Sequence, residues 1–156
     1  MHFQLDKSIG FTVNRTALKL KTEMARRLKP FKLSPEQWSV LNRLGEGDGI
    51  SQKDLADRTF KDAPTTARIL DKLEEHGLVR RGDHPDDRRT FLIFITVQGQ
   101  ELRESIVPVA LSMNDDAGIG LNAKERELLL SLLNRVQENI EKKRQQNSQF
   151  DASTSK

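Results

Sequence analysis

The feature that most constrains the fold is a change in hydrophobic periodicity at Gly77. Residues 63–76 place four small or apolar side chains on one face of a helix: Thr66, Ile69, Leu70 and Leu73. Residues 78–81 and 90–95 are short runs typical of β-strands, and a polar turn region at 82–89 separates them. The sequence therefore predicts a helix that leads directly into a β-hairpin.

A shorter helix is predicted just before this one. Ser51 is a candidate N-cap, with Asp54 at the third helical position. Residues 59–62 interrupt the pattern, and Asp62 then provides a new N-cap with Pro64 in the first turn. Two short helices joined by a tight turn and followed by a hairpin are typical of a winged helix-turn-helix.

Two further helices are predicted on the N-terminal side. Residues 7–29 have apolar side chains at helical spacing, and Pro30 ends that segment. The next helix begins after Ser34, and Gln37 is placed to close a capping box with it. The glycine-rich stretch at 45–49 ends this helix, so we interpret that stretch as a turn.

The chain after the hairpin is predicted to continue as a long helix. Thr96 is a candidate cap for a helix over residues 97–116. Pro108 lies inside this segment, and it predicts a kink or a break near Val107 because proline lacks the amide hydrogen that a helix uses.

A last helix is predicted from a capping box at Asn122 and Glu125 to about Lys143. Residues 144–156 are polar and are predicted to be a disordered tail. The complete pattern predicts a mainly α fold with a small β-hairpin wing. In this fold, long N-terminal and C-terminal helices flank a winged helix-turn-helix.

Composition excludes several classes of function. The net charge of +3 comes from 26 Lys and Arg against 23 Asp and Glu, so total charge alone does not indicate nucleic acid. The chain has no cysteine, which excludes disulfides, thiolate metal sites and thiol redox control. It has no apolar run long enough to cross a membrane and no signal-peptide pattern, so we expect a cytoplasmic protein without a membrane partner.

Catalytic and metal sites are not indicated. The histidines at positions 2, 76 and 84 are scattered, without the tight ligand spacing of a metal site. No grouping of Ser, His and Asp is placed to expose a nucleophile. We therefore predict no enzyme activity, no metal and no cofactor.

The outward face of helix 63–76 is the first candidate binding surface. Pro64, Arg68 and Lys72 lie one turn apart, with Thr65 beside the first of them. Arginine can bind guanine through two hydrogen bonds, and threonine can bond to bases or phosphates. An ordinary solvated face is the alternative, and the helix taken alone favours that alternative.

Two more residues are candidates at the start of the preceding helix. Ser51 and Gln52 lie at a helix N-terminus, where backbone amides can hold a phosphate. Capping of the helix alone explains these residues equally well.

The tip of the predicted hairpin is the second candidate surface. It contains Asp86 and Asp87 followed by Arg88 and Arg89. An arginine on such a loop can enter a narrow minor groove, and a nearby aspartate can orient its guanidinium. A charged solvent turn is the alternative. However, a helix-turn-helix followed at once by a basic hairpin is far more specific than either part alone.

Over residues 7–143 the sequence resembles the multiple antibiotic resistance regulator (MarR) family of bacterial transcription factors. The sharpest likeness is the run 67–81, ARILDKLEEHGLVRR. Asp87 and Arg89 match the Asp-x-Arg signature of the family's wing. Two later motifs match the Leu-Thr-x-x-Gly after the wing and the start of the last helix: Ile95-Thr96-Val97-Gln98-Gly99 and Gly120-Leu121-Asn122 with Glu125.

The resemblance implies a homodimer that binds a double-stranded DNA operator. Residues 1–156 would form a single domain of this type, with dimerisation helices in 7–33 and 97–143. The winged helix-turn-helix lobe would span 34–96. The two lobes of the dimer would then occupy the halves of a pseudo-palindromic operator.

The resemblance also implies roles for individual residues. Arg89, and more weakly Arg88, would enter the minor groove beside Asp87. Three residues of the second helix would read the major groove: Thr65, Arg68 and Lys72. Pro64 departs from the small polar residues common at its position, and it offers no backbone donor to a phosphate.

The function implied by the resemblance is a sequence-specific transcriptional regulator, usually a repressor. A small-molecule effector bound between the dimer helices and the DNA-binding lobe would release it from its operator. No residue in the sequence identifies the effector or its pocket. The alternative is a helical protein-interaction module without specific DNA binding, in which the basic hairpin is incidental.

Overall fold

The computed structural model describes residues 4–86 and 89–154 and confirms the predicted mainly α fold with a hairpin wing. Short 3-10 turns at Leu5–Lys7 and Lys29–Phe31 flank the first helix. The helices and strands are, in chain order, α1 (Ile9–Leu28), α2 (Pro35–Gly45), β1 (Ile50–Ser51), α3 (Gln52–Thr59), α4 (Ala63–Glu75), β2 (Val79–Asp83), β3 (Phe91–Ile95), α5 (Val97–Ala117) and α6 (Ala123–Thr154).

The predicted capping side chains begin these helices. At α2, the Gln37 amide donates to Ser34 Oγ (3.2 Å) while the Ser34 amide donates to Gln37 Oε1 (2.8 Å), which completes the capping box. Thr96 caps α5 by accepting from the Gly99 amide at 3.0 Å. Each cap satisfies an amide that the first turn of a helix leaves without a partner.

The small sheet has three antiparallel strands in the order β1-β3-β2. In its central row, Ile93 of β3 pairs with Ile50 of β1 on one side and with Arg81 of β2 on the other. The sequence did not predict β1, because two residues are too short to show a periodic pattern. Pairing with β3 is what defines this strand.

The hydrophobic core lies in the first of two compact units, which comprises the described residues up to Met113. Side chains from α1, α2, α3, α4, β3 and α5 are fully buried there: Leu28, Leu41, Leu44, Leu55, Leu70, Leu73, Ile93 and Ile106. Gly99, at the root of α5, is also buried, and a Cβ at this position would overlap the Leu78 carbonyl oxygen. This close approach explains the glycine that follows the wing.

The described residues from Asn114 onward form the second compact unit. Arg126 of α6 donates to the carbonyl oxygens of Gly118 (3.0 Å) and Leu121 (3.3 Å), and so joins α6 to the turn that precedes it. Asn122 and Glu125 make the predicted capping box at the start of the helix. Every residue from 123 to 147 is at least partly exposed.

The sequence predicts a kink or a break near Val107, and α5 has no break there because it is continuous from Val97 to Ala117. Pro108 removes a single helical amide, whose partner would be the carbonyl of Glu104. Ile106, two residues before Pro108, is fully buried in the core. Packing of this segment therefore compensates for one missing hydrogen bond.

The prediction that the last helix ends near Lys143 is also wrong, because α6 continues to Thr154. The sequence from 144 to 154 contains neither glycine nor proline, so nothing in it stops a helix that is already under way. No helix in the described part of the chain is both long and apolar enough to span a membrane.

Candidate nucleic-acid interface

The start of α4 is fixed by Asp62. One carboxylate oxygen accepts the Thr65 amide at 2.7 Å and the other accepts the Thr65 hydroxyl at 3.0 Å. These bonds favour the ionised carboxylate and lower the pKa of Asp62. The hydroxyl proton of Thr65 is thus directed to the cap, while its oxygen keeps the capacity to accept another bond.

One face of α4 is buried against the rest of the helix-turn-helix. Thr66 is fully buried and donates its hydroxyl to the Asp62 carbonyl at 2.9 Å. Ile69, Leu70 and Leu73 continue the same face and join the hydrophobic core. The rotation of α4 is therefore set by packing, which determines the side chains that point outward.

The outward face of α4 contains the predicted site residues. Pro64, Arg68 and Lys72 are all exposed, as their spacing of one turn predicts. Neither Arg68 nor Lys72 forms a salt bridge with any described residue. The charge of Arg68 also helps to lower the pKa of Asp62, but at a distance and not through a salt bridge. Both cations can therefore neutralise phosphates or bond to base edges without first breaking an ion pair to a described residue.

Ser51 and Gln52 lie at the junction of β1 and α3. Ser51 accepts the Asp54 amide at 3.1 Å and donates its hydroxyl to the Asp54 carboxylate at 2.8 Å. Capping therefore occupies the Ser51 hydroxyl in this structure. Gln52 begins α3, is partly exposed, and makes no side-chain hydrogen bond to a described residue.

The wing consists of β2, β3 and the loop between them. His84 lies just beyond β2: its amide donates to the Thr90 carbonyl at 3.3 Å, and its Nδ1 accepts the Asp86 amide at 3.1 Å. Arg89 is exposed in the turn. Asp87 and Arg88, the other predicted wing residues, lie outside the described residues.

Arg81 of β2 makes a contact that the sequence analysis missed. Its guanidinium forms salt bridges with Asp71 (2.6 Å) and Glu74 of α4, and its amide donates to Glu74 Oε1 at 3.1 Å. Burial disfavours the charge, but the two carboxylates outweigh burial and raise the pKa of Arg81. The sequence signal for this contact is a pair of carboxylates three residues apart on a helix, Asp71 and Glu74, followed by an arginine in the next strand.

Arg80, the neighbour of Arg81, points to the opposite face of the strand. Its guanidinium lies 4.4 Å from the centre of the Phe94 ring, a cation–π contact. A Cβ on Gly82 would approach the same ring to 2.9 Å, so glycine leaves room for it. Adjacent arginines therefore have different surroundings, one paired with carboxylates and one stacked on an aromatic ring.

The described residues contain no group of three His, Cys, Asp or Glu side chains that could hold a metal ion. The candidate binding surface of the lobe is instead the exposed face of α4 that contains Arg68 and Lys72, the cationic face, together with the wing.

The sequence and the fold of this chain are similar to those of known transcriptional regulators. The model of the MarR family matches residues 31–90, which contain α2, the helix-turn-helix and most of the wing. A probable transcriptional regulator from Pseudomonas aeruginosa has a similar crystal structure, with 32% sequence identity and a TM-score of 0.79. The similarity covers 85% of this chain and 99% of that one.

Two further solved structures are informative about this fold. The transcriptional repressor CouR, bound to a 23-mer DNA duplex, is 27% identical with a TM-score of 0.78, over 87% of this chain and 99% of CouR. BpsR from Bordetella bronchiseptica, whose DNA binding is regulated by 6-hydroxynicotinic acid, is 25% identical with a TM-score of 0.82. That match covers 88% of this chain and 98% of BpsR.

Proposed function

This chain belongs to the MarR family of DNA-binding transcriptional regulators, and we propose that it is a dimeric repressor released from its operator by a small-molecule effector. The family regulates transcription and is not a family of enzymes. Under this proposal residues 34–96 are the DNA-binding lobe of a single domain spanning 1–156. Residues 7–33 and 97–143 hold the dimerisation helices.

The observation that carries the proposal is the cationic face of α4. Arg68 and Lys72 are exposed, lie one turn apart and have no salt-bridge partner among the described residues. We assign Arg68 to base readout in the major groove, because its guanidinium can bond to two acceptors of guanine. Lys72 and Thr65 contact the same groove or its phosphates, and Pro64 contributes only its shape.

The remaining DNA contacts come from α3 and the wing. Arg89 enters the minor groove, with Arg88 and Asp87 beside it. Ser51 and Gln52 lie at the N-terminus of α3, where free amides and the helix dipole favour a phosphate. Phosphate contacts of this kind fix the register of the lobe on DNA without adding sequence information.

Exposed apolar side chains support dimerisation through the flanking helices. In α1 and α6 these side chains are exposed in the single chain: Ile9, Leu18, Leu128, Leu129, Leu130, Leu132 and Ile140. Monomeric proteins rarely expose so many large apolar residues on neighbouring turns. A symmetric dimer would bury them and place two lobes on a pseudo-palindromic operator.

Release by an effector follows if the ligand prefers a dimer whose α4 helices no longer match the spacing of the major groove. The effector would bind near α1, α2 and α5, between the dimer helices and the lobe. Regulation of BpsR by 6-hydroxynicotinic acid supports control by a small molecule. A thiol switch is excluded, because the chain contains no cysteine.

Operator mapping with genomic fragments tests the DNA-binding assignments. We expect Arg68→Ala to weaken operator binding by about 1–3 kcal/mol and to relax specificity at one position. Lys72→Ala should weaken binding to all sequences and lower the salt dependence by about one counterion. Arg135→Ala removes the same charge from an exposed position on α6, outside the lobe, and serves as the matched control at concentrations where light scattering shows an unchanged dimer.

Fluorescence anisotropy at fixed salt gives these affinities, and light scattering gives the oligomeric state. Unchanged operator affinity in both Arg68→Ala and Arg89→Ala would refute the assigned interface. A screen of small aromatic acids and related compounds for loss of operator binding tests the effector. A monomer at the concentrations that saturate the operator would refute the dimer.

A further inference from the structure

Arg81 joins the wing to α4 through three polar contacts. Its guanidinium bridges Asp71 and Glu74, and its backbone amide bonds to Glu74. Ion pairs that are partly exposed add little to folding stability, and the Asp71 side chain is 65% exposed. A planar guanidinium held between two carboxylates does, however, restrict orientation, because both bonds must keep their geometry at once.

The position of Arg81 in the sheet makes that restriction important. Arg81 of β2 pairs with Ile93 of β3, which in turn pairs with Ile50 of β1. This row of three residues is therefore held by β1 at one end and by the contacts of Arg81 with α4 at the other. The root of the hairpin is already held, because the Leu78 amide donates to the Leu73 carbonyl at 2.9 Å. Arg81 adds a second attachment to α4 three residues closer to the tip.

From these contacts we propose that Arg81 is a positioning residue that fixes the angle between the wing and the recognition helix α4. Leu78 and Arg81 attach the chain to α4 at two points three residues apart, and two points define a direction along β2. The lobe can then present Arg68 to the major groove and Arg89 to the minor groove of one half-site together. This inference rests on the proposed function, since it assumes that both elements bind the same operator.

A double-mutant cycle on the operator tests the inference. Affinities are measured at fixed salt for the wild type, Arg89→Ala, Arg81→Met and the double variant. Arg81→Met should weaken operator binding by about tenfold, while its affinity for non-specific duplex DNA changes by no more than about twofold. Arg89→Ala should weaken operator binding much less in the Arg81→Met background than in the wild type, because Arg89 contributes little to affinity when the wing is misdirected.

Arg80→Met is the matched control, because it removes the same charge from the adjacent position on the opposite face of β2. It should leave the effect of Arg89→Ala unchanged. Asp71→Asn is a milder variant at an exposed site that breaks one of the two salt bridges, so the same coupling should appear at a smaller size. Loss of stability alone would reduce the folded fraction without changing the effect of Arg89→Ala, and circular dichroism measures that fraction.

The outcomes separate the two proposals. If Arg89→Ala weakens operator binding and its effect simply adds to that of Arg81→Met, Arg81 is not a positioning residue and the proposed function stands. If Arg89→Ala has no effect in the wild type, the proposed role of the wing fails and the inference falls with it. Strong coupling at Arg81 with none at Arg80 supports the inference.

Discussion

The winged lobe and helix α6 differ in the burial of their apolar side chains. In the lobe, Leu41, Leu55 and Leu70 are fully buried. In α6, Leu130 and Ile140 remain more than 60% exposed. Apolar burial within one chain therefore stabilises the lobe. The apolar surface of α6 contributes to stability only when another surface covers it. This difference separates the part that we propose binds DNA from the part that we propose pairs two copies.

The largest expected effect comes from truncating a leucine on either side of this comparison. Leu70→Ala should destabilise the lobe by about 2–5 kcal/mol, because it leaves a cavity in a fully packed core. Leu130→Ala removes the same atoms from an exposed position and should change the stability of the monomer by less than about 0.5 kcal/mol. Urea denaturation at low protein concentration measures both, and equal losses would invalidate the comparison.

The next effect concerns association and not folding. Replacing both Leu129 and Leu132 of α6 by glutamate should raise the dimer dissociation constant by about a hundredfold or more, because burying unpaired charges at an interface is costly. The helix content should stay the same, since glutamate is a good helix former. Analytical ultracentrifugation measures the association. An unchanged dimer would mean that these residues do not form the interface.

Local signals allowed much of the fold to be predicted from the sequence. The caps at Ser34, Ser51, Asp62 and Asn122 were all located, because each depends on residues only three positions apart. The wing was located because the hydrophobic period changes after a glycine. The alternative prediction was a helical protein-interaction module without specific DNA binding. It was wrong, because the chain belongs to a family of DNA-binding transcriptional regulators.

Features that depend on distant residues were not predictable in this way. Strand β1 exists only through its pairing with β3, and α5 continues past Pro108 because the helix is packed against the core. The ion pairs of Arg81 require knowledge of how β2 crosses α4. Arg68 and Lys72 were placed correctly on an exposed face, but their roles on DNA, like those of the wing residues, stay predictions.

A smaller effect is expected at the two described residues other than glycine with left-handed backbone. Lys32 follows the 3-10 turn Lys29–Phe31 (φ 55°), and Phe60 lies in the turn between α3 and α4 (φ 54°). Phe60 is also 81% exposed, so little packing compensates for its conformation. We expect Phe60→Gly and Lys32→Gly each to stabilise the protein by about 0.5–1 kcal/mol, since glycine adopts this conformation without a steric penalty. Thermal denaturation measures the gain, and a loss of stability would show that the native side chain makes a compensating contact.

The smallest expected effect is the acid sensitivity of the cap on α4. Bonds from Thr65 lower the pKa of Asp62 in the folded protein, so its stabilising contribution is present above the ordinary pKa of aspartate. That contribution is lost as the pH falls through the lowered value. Asp62→Asn preserves a capping oxygen but cannot titrate, so the difference in Tm between wild type and variant isolates this one group.

We expect the advantage of the wild type to stay constant from about pH 7 down to the ordinary pKa of aspartate and to shrink only on further acidification, because the other carboxylates titrate alike in both proteins. A difference in Tm that is independent of pH would mean that the ionised form of Asp62 is not what stabilises α4. Asn122, which caps α6 from the same position by an amide oxygen, cannot titrate. Acidification therefore weakens the N-cap of α4 through its capping residue, whereas the capping residue of α6 keeps its charge state.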